Sequence, residues 1–193
     1  FALAFHNNDA YSLPQEQELF KMFSGKDGGY LAYVTDMRKE DAGLLTEGGC
    51  RQSIENSLSN SVTHCAVAVS SVFDEASGIA GVDARVFSEL TSEYRIAAYV
   101  VEDKVIGEQL ESTGYVRPDY SHRHVVRSMI STSVYGDVLG TVAAGNEAGK
   151  SFDFSVEKDW NLENLYVVVL AIDEHGHVNN MAQCLVNGGK MEY

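Results

Sequence analysis

The rhythm of apolar positions changes near residue 60. Before it, strand-like and helix-like stretches alternate. Phe1-Ala-Leu-Ala-Phe5 opens a buried strand that runs to His6, and Asn7-Asn8-Asp9 reads as a turn. Leu13 to Phe23 predicts a helix. Pro14 suits a first turn, Glu16 and Glu18 favour the helix N-terminus, and Leu19, Phe20 and Phe23 share one face. Gly25 to Gly29 is a loop, Tyr30 to Thr35 a second strand, and Gly48-Gly49 leads into a short helix over Gln52 to Leu58. Residues 1–60 therefore read as β-α-β-loop-α. From Ser61 the period is that of strands: Val62 to Phe73, Gly78 to Leu90, Tyr94 to Val101, His122 to Ser133, Ser151 to Val156, Tyr166 to Ile172 and Val178 to Val186. Tyr94 to Val101 is apolar enough for a central strand, and the last two runs form the clearest hairpin. The expected class is α+β, with an antiparallel β-sandwich (Ig-like or jelly-roll-like) over residues 61–193.

Charge narrows the partners. Over 193 residues, 14 Lys and Arg stand against 28 Asp and Glu, a net charge of −14. Nucleic-acid affinity comes mainly from Lys and Arg displacing counterions, so no nucleic-acid partner is expected. The longest apolar run, Tyr166 to Ile172, is far short of the ~20 residues of a membrane helix. The start at Phe1 lacks the layout of a signal peptide. A chain that opens inside a strand is expected to be cut from something longer.

Candidate chemistry is sparse. The three cysteines, Cys50, Cys65 and Cys184, form no Cys-x-x-Cys. Cys50 follows a Gly pair and precedes a helical pattern, the setting of a reactive thiol, although an ordinary thiol beside a turn fits better because no base lies nearby in sequence. Cys65 and Cys184 sit in apolar stretches as small hydrophobes, and a disulfide between them is left open. His122-x-His124 lies in a strand pattern, where residues two apart face one side and could share a metal with His175-x-His177. Two unrelated surface pairs are the better account, since no third matched motif exists. Acidic pairs at Asp74-Glu75, Glu102-Asp103 and Asp173-Glu174 read as turns, lacking the spaced loop of a calcium site. No phosphate loop, nucleophile elbow or cofactor motif occurs, so no cofactor is expected. Tyr11, Tyr30, Tyr115, Tyr120 and Tyr135 fall in loops or strand ends, as contact or corner residues.

Two stretches carry a resemblance. One is Ala97-Ala-Tyr-Val-Val-Glu-Asp103, then Gln109, then Tyr120-Ser-His-Arg-His-Val-Val-Arg127; the other is Asn164-Leu-Tyr-Val-Val-Val-Leu-Ala-Ile-Asp173 with Val178 to Val186. Together they resemble the C-terminal sandwich of the Bacteroidetes outer-membrane lipoprotein family of about twenty-eight kilodaltons, which includes Porphyromonas-type surface antigens. The resemblance implies that residues 1–60 are the latter part of a thioredoxin-like region. Phe1 to Asp9 is similar to its central strand, and Gly29 to Arg38 to its Gly-Tyr-Pro…Asp-x-Arg segment. Leu31 stands where that pattern has proline, and no Cys-x-x-Cys precedes it here. The resemblance further implies an upstream lipid anchor, an outer-membrane location facing the surface or the periplasm, and a host or envelope protein as partner. The sheet edge of a partial thioredoxin-like region also makes a homodimer an expectation. A non-enzymatic binding module leads, ahead of a redox-associated protein and a metal hydrolase.

Overall fold

A computed structural model describes residues 1–7, 9–15, 18, 20–21, 32–111 and 113–189. Among the described residues the strands are β1 (Ala32–Val34), β2 (Ala42–Leu44), β3 (Cys65–Asp74), β4 (Ile79–Ser88), β5 (Ser92–Glu102), β6 (Val105–Leu110), β7 (Val116–His122), β8 (Val125–Met129), β9 (Asp137–Val142), β10 (Glu147–Ser155), β11 (Leu165–Ile172) and β12 (Val178–Leu185), and the α-helix α1 (Glu47–Asn60) lies between β2 and β3. All strand pairings are antiparallel.

Two sheets form the body. One has the order β10-β4-β3; the other has β12-β11-β5, with β8 and β9 both pairing β5. Between them lies the main core. Val67, Val69, Val82, Val86, Phe152 and Phe154 come from the first sheet, and Tyr94, Ile96, Val100, Val167 and Val169 from the second. The opposite face of the five-stranded sheet is also covered. Ala97, Tyr99, Val101, Val126, Val168 and Ile172 pack there against Leu3, Phe5, Leu13 and Met37. Alternate residues of β5 thus enter two different apolar layers, which is why Ile96 to Val101 form an unbroken apolar run.

Several elements differ from their sequence-based expectation. Residues 1–6 form no strand beyond one parallel bridge, Ala4 to Val125. Leu3 and Phe5 nonetheless point to one side, as in a strand, and cover the sheet. The helix expected over 13–23 and the proline-position residue Leu31 lie largely or wholly outside the described residues. The second helix begins earlier than its apolar pattern. Thr46 Oγ1 accepts from Gly49 N at 3.1 Å as an N-cap, so Gly48 and Gly49 lie inside the first turn. A Cβ on Gly49 would come within 2.9 Å of both Thr46 Oγ1 and the Tyr33 hydroxyl, so glycine permits this close start.

The run His122 to Ser133 is broken. β7 ends at His122, His124 has φ +54, and β8 starts at Val125. The amide of His124 donates to Asp103 Oδ1 at 3.3 Å in that left-handed position. β6, most of β7, and β9 carry no clear alternation in sequence. The hairpin over residues 173–177 forms as expected, with Asp173 Oδ1 accepting from the amides of His175 and His177 at 2.9 and 3.0 Å.

Candidate functional site

The histidines assemble differently from a shared metal site. His122, at the end of β7, is 5% exposed. His124 turns away in its left-handed conformation, and its ring packs on Phe1 at 4.7 Å between centroids. The two therefore share no strand face. Arg95 pairs with Ile172 and Glu102 with Leu165, while His122 follows the Glu102 end and His175-x-His177 the Ile172 end. Seven residues of β5 separate those ends, about 23 Å at a strand's rise. The His-x-His pairs cannot meet on one ion, and among the described residues no group of three His, Cys, Asp or Glu side chains could hold a metal.

His122 instead meets aromatic rings brought from afar. Its centroid lies 5.0 Å from His6, 5.6 Å from Tyr11 and 4.9 Å from Tyr120, all edge-on. His6 and Tyr11 are themselves 5.2 Å apart. His122 Nε2 lies 3.2 Å from the Glu108 carbonyl, which can only accept, so the neutral ring carries its proton on Nε2. Burial, followed by the nearby His6, holds this imidazole below its ordinary value. His6 Nδ1 contacts Asp9 Oδ2 at 2.6 Å. The Tyr11 hydroxyl donates to the Ile106 carbonyl at 3.4 Å, and a Cβ on Gly107 would overlap that hydroxyl.

Arg127, on β8, joins this cluster to the body. Its guanidinium sits 5.4 Å from the Tyr11 centroid and 5.5 Å from that of Trp160. Its Nε lies 3.3 Å from Glu102 Oε2 and its Nη2 3.0 Å from Asp159 Oδ2. Glu102 Oε1 also accepts from the Asn161 amide at 2.8 Å. The arginine side chain is 11% and the Glu102 side chain 6% exposed, so this is a desolvated pair rather than a surface contact. Sequence reasoning singled out Tyr11, Tyr120 and His122 for separate reasons. It missed His6 and Trp160 and gave Arg127 no role, because their neighbours are distant in the chain.

The β6–β7 hairpin projects from this cluster as a separate two-stranded sheet. Leu110 pairs with Val116 and Ile106 with Ser121, and the register slips between Gly107 and Gln109. Pro118 stands in that interval, without an amide to donate. Ile106, Leu110, Tyr115, Val116 and Tyr120 are all exposed, Leu110 at 65%. Tyr135 is exposed elsewhere, beside an open depression of about 530 Å³ near Arg95 and Glu174. Arg95 there donates to the Tyr135 and Gly136 carbonyls, so most of its fork is committed to backbone. Tyr30 lies outside the described residues.

All three thiols are free. Burial pushes Cys65 and Cys184 up to about 11, the opposite of an activated nucleophile. Cys65 Sγ lies 3.2 Å from Asn179 Oδ1. Cys50 occupies the fourth position of α1, partly buried, with its amide donating to the Thr46 carbonyl at 2.9 Å.

The comparisons with known proteins agree with this β-rich fold. The family described as outer membrane protein Omp28 matches residues 37–190. HBP35 of Porphyromonas gingivalis has a similar structure, with a TM-score of 0.73 at 15% identity. The superposition covers 96% of this chain and 63% of that one, so the chain spans under two thirds of that neighbour. No curated protein matches the chain in sequence. Among the described residues, no helix is long and apolar enough to cross a membrane.

Proposed function

Because the chain belongs to the Omp28 outer membrane protein family, we propose that it is a non-enzymatic binding module of a surface lipoprotein, engaging a host or envelope protein. The observation that carries this reading is the β6–β7 hairpin. It sets Ile106, Leu110 and Val116 of its two strands, and Tyr115 of its connecting loop, in solvent, and among the described residues none of these side chains joins either core. Large apolar and aromatic side chains held together in solvent are the usual anchors of a protein interface. The net charge of −14 works against docking on anionic lipid and leaves a protein partner as the better fit. Adhesion at the bacterial surface is the role this assigns. We also read residues 1–60 as the latter part of a thioredoxin-like region, supported by the β1–β2 hairpin leading directly into α1.

The test is saturable binding of the immobilised chain to solubilised envelope proteins and to host surface proteins. Leu110→Ser, Tyr115→Ser and Val116→Ser together are expected to weaken binding at least tenfold with an unchanged circular dichroism spectrum. Equal binding by this variant, or no saturable binding to either pool, overturns the proposal.

A further inference from the structure

Residues 1–7 and 9–13 run as a strap over the outer face of the five-stranded sheet, and among the described residues few backbone bonds tie them to it. Two backbone bonds do so: Ala4 N donates to the His124 carbonyl at 2.9 Å, and Val126 N to the Ala4 carbonyl at 3.0 Å. Leu3, Phe5 and Leu13 add apolar contact, with Phe5 edge-on to Tyr99 at 5.6 Å. Beyond Ala4, the hold passes to His6 and Tyr11, which pack against His122. A segment with so few backbone bonds opens more readily than the sheets beneath it.

We infer that the His6–His122 contact makes the strap a pH-operated latch, closed near neutrality and released in mild acid. The groups around the contact set the direction. From the strap come Asp9, at 2.6 Å from His6, and the Tyr11 phenol. β7 contributes Tyr120, and β6 the Glu108 carbonyl that accepts a hydrogen bond from His122 Nε2. β8 contributes the Arg127 cation above Tyr11, itself matched by Glu102 of β5 and by Asp159. His6 Nδ1 already engages Asp9. With Nε2 bonded to the Glu108 carbonyl, a proton added to His122 must go to Nδ1, which places a charge 5.0 Å from the His6 ring in a site 5% exposed. Glu102 and Asp159 are already spent on Arg127.

The sign follows from linkage. His122 is held below its ordinary value while docked. Once the strap lifts, it returns toward about 6.5. The released state therefore binds more protons in acid. Docking is at full strength above about pH 6.5 and weakens as pH falls below it. If His122 stays neutral while docked, the docking constant falls by up to about thirtyfold at pH 5.0.

Hydrogen exchange at the Val126 amide reads the latch directly, since its acceptor is Ala4 on the strap. In the unaltered chain, its protection factor is expected to drop tenfold to thirtyfold between pH 7.5 and 5.0, with the Val100 amide as an unchanged reference. His122→Phe and His122→Gln cannot charge, and whichever keeps the strap docked at pH 7.5 is expected to lose the drop. A constant Val126 protection in the unaltered chain overturns the inference, as does a drop that persists in those variants. Should both variants undock at every pH, the His122 ring titration in the unaltered chain decides: a midpoint below about 6.5 supports the latch, and one at or above it removes the latch.

Discussion

Lys150 Nζ lies 2.9 Å from Asp137 Oδ2, joining β10 to the start of β9 through a carboxylate that is only 3% exposed. The other oxygen, Oδ1, accepts from the Thr132 amide at 2.9 Å and from the Thr132 hydroxyl. One side chain therefore closes the turn between β8 and β9 and clips the two sheets together. Burial works against its charge, but the Thr132 hydroxyl, Lys150 and the Thr132 amide outweigh it and hold the carboxyl below the usual aspartate range.

Asp137→Ala is expected to cost about 2 kcal/mol, by removing the charge-assisted bonds from the Thr132 amide and hydroxyl together with the Lys150 pair. Because the folded value is depressed, this stability is present above the unfolded value of about 3.9 and is lost as pH falls through the folded one. Urea unfolding at pH 7 and pH 3 checks both points. The difference between the unaltered chain and the variant should narrow at pH 3.

Arg127→Ala leaves Glu102 buried with only the Asn161 amide as partner, and is expected to destabilise the fold by about 3 kcal/mol. Adding Glu102→Gln should recover a good part of that loss by removing the stranded charge. Trp160, the single tryptophan, lies 5.5 Å from the guanidinium, so its fluorescence follows the site in the same titration. A double variant no more stable than Arg127→Ala would refute the buried-charge account.

How far the sequence foretold this structure depended on burial. β5 and β11 were legible because their residues meet apolar layers on both sides, leaving nearly continuous runs. β6 and β7 were not, since a two-stranded hairpin facing solvent needs no alternation. The break at His124 was hidden for another reason: a single left-handed residue, fixed by the distant Asp103, leaves no periodic trace. The same holds for the ring cluster. His122 was picked out for its neighbour two residues away, whereas its real companions are His6 and Tyr11, which a local motif cannot reveal.

Thiol chemistry offers a third check. With Cys65 and Cys184 pushed up to about 11, brief alkylation of the native chain at pH 8 is expected to place one label, on Cys50. Three labels should appear in urea. Peptide mass mapping distinguishes the sites, and native labelling at Cys65 would contradict its burial.

Gly107→Ala tests the seat of Tyr11. The added methyl overlaps the tyrosine hydroxyl, so the ring must shift and its bond to Ile106 is lost. A cost of about 1–3 kcal/mol is expected. Tyr11→Phe combined with Gly107→Ala should be milder, and a thermal-melt double-mutant cycle measures the coupling.

Every strand that hydrogen-bonds to β5 follows it in the chain: β8, β9 and, last, β11. A growing polypeptide that has just released Glu102 has none of these neighbours. Seventy further residues separate Glu102 from Ile172. At about 5–20 residues per second, that is a wait of roughly 4–14 seconds. Until β11 emerges, this apolar ribbon lacks one full side of its ladder, which makes this interval the natural moment for a holding chaperone and the point at which slowed synthesis would favour aggregation.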